Sequence, residues 1–140
     1  MGFDIFLIAG QGEENHFDRA IVERAFESFA NNRSSGWWDF HMADGKSCSG
    51  ELSIDQTAKV DGFAVHRPPD LPWFWDAIFD VLRQTRTFLV WPAPGPGPDY
   101  CVANEGWRAY IDHEMVEDMG EPALVRSGAE IPAVLEASGA

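Results

Sequence analysis

Three of the four histidines in this 140-residue chain fall in patterns that can carry acid–base or metal chemistry. In His113-Glu114-Met115-Val116-Glu117-Asp118, His113 and Glu117 stand four apart. On a helix they share a face, as the two histidines of an HExxH metal motif do. Glu117 occupies the place of the second histidine, and a zinc site takes a further ligand and an ordered outer shell. His16, His41 or His66 could supply that ligand only through the fold. A solvated acidic helix face with a surface histidine gives the same string, and we prefer that reading of His113 and Glu117.

Asp39 and His41 lie two apart in an alternating stretch with Trp37 on the same side, and His66 lies near the end of another such stretch. If the two strands pair, Asp39, His41 and His66 form a candidate general acid–base group. Ser47, Cys48, Ser49 and Ser53 are nearby in sequence, but none sits in a GxSxG elbow. A solvent-facing polar row on a half-buried hairpin explains the pattern more simply. Gly10-Gln11-Gly12, between a strand and a helix, invites a phosphate-loop reading. The third glycine of GxGxxG and the GK[ST] signature are missing, and Glu13-Glu14 would repel the phosphate. An ordinary glycine turn fits better, with acidic residues at the positive end of the helix. No cofactor is expected.

The aromatic residues are the more informative excess, with six Trp and ten Phe. Phe17, Phe26, Phe29, Phe40, Phe74 and Phe88 fall on core stripes. Trp37, Trp73 and one of Trp75 or Phe79 fall off them. Large aromatics exposed together mark partner-binding patches. Trp73 and Trp75 beside Asp70 and Asp76 would make an acidic–aromatic surface. The competing account is a wide helix face packed under a proline-rich loop.

Ten basic residues against 23 acidic ones leave a net charge of −13. Such a field repels phosphates and anionic lipid, which argues against nucleic-acid and membrane partners, and it steers a basic protein inward. Cys48 and Cys101 show no metal-type spacing and read as buried reduced thiols. No basic segment precedes the first apolar run, Asp4 interrupts that run, and no apolar stretch approaches a bilayer span, so a cytoplasmic protein is expected.

These residues must be positioned by one domain over residues 1–140. Phe3–Ala9 reads as a buried strand. Phe17, Ile21, Ala25 and Phe29 mark a helix capped by Asn15. Strands follow around Trp38–Met42, Cys48–Ile54 and Phe63–Arg67, with Asp44-Gly45 and Asp61-Gly62 as turn dipeptides. Gly50 weakens the second of these strands or marks a bulge. A second helix runs from Pro72, capped by Asp70, with Leu71, Phe74, Ile78, Val81 and Leu82 on one stripe. Thr87–Trp91 reads as a central strand, Pro92–Pro98 as a loop, and Tyr100–Ala103 as a strand. Trp107–Ile111 reads as a strand, His113–Met119 as a short helix closed by Gly120, Ala123–Val125 as an edge strand, and Ile131–Ala137 as a terminal helix.

This order predicts an α+β fold, with two helices on one face of a mainly antiparallel sheet and a ferredoxin-like βαββαβ core with additional strands. The leading expectation of function is a non-enzymatic domain that binds a basic protein. Small acidic bacterial proteins that neutralise a cationic toxin share this charge and size, and the lysine-poor composition is compatible with a bacterial source. The alternative is a small enzyme or small-molecule binder with a His/carboxylate site near the β-meander or the proline-rich loop. A sheet-edge homodimer is a third expectation.

Overall fold

The computed structural model describes residues 3–10, 17–27, 30–33, 37–41, 47–54, 59–92 and 98–139. Their strands are β1 (Ile5–Ala9), β2 (Phe17–Asp18), β3 (Ala30–Arg33), β4 (Trp37–His41), β5 (Ser47–Ile54), β6 (Lys59–His66), β7 (Thr87–Val90), β8 (Tyr100–Val102) and β9 (Ala123–Leu124). The helices are α1 (Arg19–Phe26), α2 (Pro72–Gln84), α3 (His113–Met119) and α4 (Glu130–Ala137), with a 3-10 turn at Trp107–Ala109. One sheet runs β3-β4-β5-β6-β1-β7-β8-β9, and β2 pairs beside this path on β6. Its pairings are antiparallel except β8 with β9, which makes the sheet mixed.

Alternation sends Ile5 and Leu7 to one face, where they meet the apolar sides of α1, α2 and α4. Phe26 of α1 is the hub of this core. Its ring lies 5.3 Å from Phe40, 5.5 Å from Phe63 and 5.8 Å from Phe74, which ties two helices to two strands. Pro72 starts α2, where a missing N–H costs nothing. The buried Trp91 indole donates to the Ser138 hydroxyl at 2.8 Å and pins the end of α4 beneath β7. On the opposite face, Phe88, Tyr100 and Val102 are covered by Trp107, Tyr110 and Ile111, with Met115, Val116 and Met119 of α3 packed against them.

The sequence expectation of two helices on one face is thus corrected. Three helices pack on the face carrying Ile5 and Leu7, and α3 packs on the other. A helix of only seven residues, with none fully buried, carried too weak a periodic signal to be assigned a face.

Local expectations change for identifiable reasons. Asp18, not Asn15, caps α1 by accepting from the Ala20 N–H, and Asn15 lies outside the described residues. Leu71 occupies the cap position of α2, while the Asp70 carboxylate accepts the Trp75 indole N–H at 3.2 Å instead. Asp61 and Gly62 lie within β6, not in a turn, whereas Asp44-Gly45 falls outside the described residues. Gly50 is a place of close approach: a Cβ there would stand 2.8 Å from the Phe63 ring and 3.0 Å from that of Phe40. The register shift comes further along, opposite Ser53 and Ile54, and the extra residue, Asp61, belongs to β6. Trp107–Ala109 forms the 3-10 turn where a strand was expected, with Trp107 buried and Arg108 laid over its ring at 4.4 Å.

Candidate functional site: the open sheet face

The strand register defines what lies beside what on the face away from α1 and α2. One row runs Trp37, Glu51, Ala64, Phe6 and Val90 across β4, β5, β6, β1 and β7. The next row runs Asp39, Ser49 and His66, with Asp4 beyond it. Another brings Gly62, Ile8 and Phe88 together. From β7 outward the face is closed by the 3-10 turn and α3, and Phe88 is only 8% exposed. Across β4 to β1 it is open: Trp37 is 43% exposed, Phe6 39% and Ile8 37%. These three are the exposed large apolar side chains among the described residues, and they share one face of one sheet. Between them, Gly62 and Ala64 are too small to fill the surface. A groove of about 460 Å³ results, with Phe6 and Ile8 on one side and Glu51 on the other.

Polar groups frame this apolar strip. The Trp37 indole donates to Asp39 Oδ1 at 3.2 Å, and its ring stacks on His66 at 5.7 Å with 23° between the planes. His66 Nδ1 stands 3.1 Å from Asp4 Oδ2. An ionised carboxylate only accepts, so Nδ1 carries the proton and, in the neutral ring, Nε2 is the acceptor. Asp4 Oδ1 also accepts the Arg67 N–H at 3.3 Å, and so holds Arg67 at φ 52°, in the left-handed region. That conformation is unfavourable for a residue with a Cβ, and more so just before a proline. The Asp4 carboxylate therefore fixes both the His66 ring and the exit of β6. Asp4 and Asp39 flank the strip and Glu51 stands within it, so the face is acidic as well as apolar.

The expected site residues separate into distinct places. Asp39 and His66 share a row by register and His41 pairs with Ser47 at the end of β4, but β5 lies between β4 and β6, so those two strands do not pair. His66 has its carboxylate in Asp4, from β1. His113 and Glu117 lie on α3 with Nε2 and Oε1 3.0 Å apart, and are 85% and 65% exposed. Among the described residues, no three His, Cys, Asp or Glu side chains gather in metal-binding geometry.

The acidic–aromatic surface expected around α2 is divided. Trp75 is 1% exposed and belongs to the core, its ring edge-on to Phe74 at 5.1 Å. Trp73 is half-buried and also edge-on to Phe74, while Asp70 and Asp76 are exposed. All four accompany α2 on the helix-covered side, so Trp37 does not join them. Gly10 is buried with its N–H donated to the Arg86 carbonyl at 2.8 Å, and a Cβ there would collide with Tyr110. That N–H is not presented to an anion, and Gln11 and Gly12 fall outside the described residues.

Near the end of the proline-rich loop, a groove of about 380 Å³ touches Pro98, Leu124 and Val134, with Glu130 as its one carboxylate among the described residues. Residues 93–97 of the loop are outside the description. Cys48 and Cys101 are buried and unpaired. Burial pushes their thiols up to about 11 and about 12 respectively, so both stay protonated at neutral pH. They stand on β5 and β8, four strand spacings or roughly 19 Å apart, far beyond disulfide reach.

Sequence reasoning missed Asp4, Phe6, Ile8 and Glu51 as members of the site. Both faces of β1 are apolar, so alternation could not distinguish the covered side from the open one. Among the described residues, no helix is long and apolar enough to cross a membrane. Comparison with protein-family models, curated proteins and solved structures finds no match to the chain.

Proposed function

We propose that the chain is a non-enzymatic protein-binding domain whose open sheet face meets a basic partner in the cytoplasm, in the manner of small acidic proteins that neutralise a cationic toxin. The observation that carries this reading is that Phe6, Ile8 and Trp37 are all exposed on one sheet face, with the Glu51 carboxylate between Trp37 and Phe6 and those of Asp4 and Asp39 in the next row. Apolar residues exposed singly are ordinary, whereas several large ones on one sheet face mark a place where another surface docks. Trp is enriched among the anchors of such interfaces, and acidic groups beside them steer a cationic partner and reject an anionic one. The net charge of −13 extends that steering well beyond contact distance at low salt. Buried reduced thiols suit a reducing compartment.

The fold has a finer reading as well. Taken in chain order, β1-α1-β5-β6-α2-β7 is a βαββαβ unit whose strands lie in the order β7-β1-β6-β5, every neighbour antiparallel. This supports a ferredoxin-like core, with β3 and β4 added beyond β5 and β8 and β9 beyond β7.

The test is capture from the native host on immobilised wild type, Trp37→Ala and Glu51→Lys proteins, followed by affinity measurements on the purified pair. The expected partner is a basic protein bound more weakly as salt rises, with Trp37→Ala weakening it by roughly thirtyfold if the ring is an anchor. An affinity indifferent to ionic strength and to both substitutions overturns the reading.

One observation favours the enzyme alternative. His66 has an orienting carboxylate in Asp4, and Ser49 stands opposite it in register. Covalent labelling of Ser49 by a fluorophosphonate, lost in His66→Ala, would move the assignment to that alternative.

A further inference from the structure

We propose that the basic partner meets this face with an amphipathic helix laid along β6. This rests on the basic-partner reading and names the element of the partner that the face selects. The strand register builds a channel there. The outward residues of β6 are Gly62 and Ala64, which give the channel a floor with almost no side chain. Phe6 and Ile8, their cross-strand partners on β1, form one wall, and both are more than one-third exposed. Glu51 of β5, paired with Ala64, stands on the other side. The channel therefore runs with the strands.

Three observations select a helix. Each of β5, β6 and β1 is paired on both sides, so a partner's strand cannot hydrogen-bond to them. A lone extended segment lying on the face would bury N–H and C=O groups without partners, whereas a helix satisfies its own. The spacing fits as well. Outward residues recur about every 6.8 Å along a strand, and a helix places residues i and i+4 on one side about 6 Å apart. From β7 outward the same face is already covered by the 3-10 turn and α3, and a helix on β6 continues that layer. Charge sets the chemistry of the helix flanks. The exposed Glu51 borders the channel, and Asp4 and Asp39 lie one row away, so lysine or arginine there finds carboxylates beside it. A second copy of this chain, at a net charge of −13, would bring like charge to the same place.

The test uses the full chain at low salt with two capped leucine–lysine peptides of equal length and composition. In one the leucines recur at helical spacing, and in the other they alternate with lysine. The helix-period peptide should bind roughly tenfold more tightly and gain helical circular dichroism on mixing. Ala64→Leu, which raises the channel floor, and Phe6→Ser, which lowers its wall, should each bring the two peptides toward equal affinity. Equal affinities for the wild type, or binding without added helical signal, would overturn the helix and leave the basic-partner reading standing. A helix preference unchanged in both variants would place the contact away from β6 and overturn the proposal too. If neither peptide binds the wild type more tightly than its counterpart with glutamate for lysine, both readings fail.

Discussion

Trp37 and Trp38 are consecutive residues of β4 with opposite fates: one is 43% exposed and the other not exposed at all. Trp38 packs edge-on against Phe40 and Phe63, in the core that α1 and α2 complete through Phe26 and Phe74. Trp37 lies across from Glu51 and stacks on His66. Residue type and strand propensity are identical at the two positions, so neither decides their burial. What decides it is which face of the sheet the helices cover. The covered face supplies stability through close-packed rings. The open face carries apolar and acidic groups that stay partly exposed, as the proposed recognition role requires.

If this division holds, the largest effect belongs to the covered face. Phe26→Ala removes the ring that ties α1 to α2 and to two strands, and should cost roughly 3–5 kcal/mol of unfolding free energy. Denaturant titration measures it, and a loss below about 1 kcal/mol would mean that Phe26 is not the hub its contacts imply.

A second loss of stability should appear at high pH. The folded thiols of Cys48 and Cys101 hold their protons to about 11 and about 12, against an ordinary value of 9.0. The unfolded chain loses those protons first. Stability is therefore intact below pH 9 and falls as pH rises toward the folded values. Tyr100 and Tyr110, whose hydroxyls are also raised chiefly by burial, steepen the same limb. Unfolding curves in this range should show a smaller alkaline loss for Cys101→Ala than for the wild type. Equal losses would show that the Cys101 thiolate is accommodated in the folded protein.

The comparison also explains what the sequence revealed. Elements with one clear stripe or one strong punctuation were legible: α2 with Pro72 at its start, α3 with Gly120 at its end, and the apolar run of β7. The four-helix arrangement was not, because assigning a face requires knowing which strands adjoin. Trp75 fell off the best helical stripe, yet it is buried, since the α2 stripe is wide and Asp70 accepts its N–H. Gly62 resembled a turn residue beside Asp61, yet it faces Ile8 across the strands on the open face. Of the candidate site, Trp37, Asp39 and His66 were visible through alternation. Asp4, Phe6 and Ile8 reach it from far along the chain, through a strand apolar on both sides, and no local pattern announces that.

The smallest expected effect is the sharpest test of the division. Trp37→Ala, Phe6→Ser and Ile8→Thr replace bulky apolar groups that are already more than one-third exposed. Burying a large apolar side chain is worth roughly 1.5–3 kcal/mol, and these positions realise only part of that. Trp37 should lose most of the three, because its stack on His66 and its bond to Asp39 disappear together. Each substitution should nevertheless cost about 1 kcal/mol or less, well under the loss at Phe26. Affinity for a partner should respond more strongly than stability, with Trp37→Ala more damaging to binding than to folding. Denaturant titration and binding measured on the same three variants separate the two quantities. If the variants unfold as readily as Phe26→Ala, these side chains belong to the core, and the open face cannot be assigned to recognition.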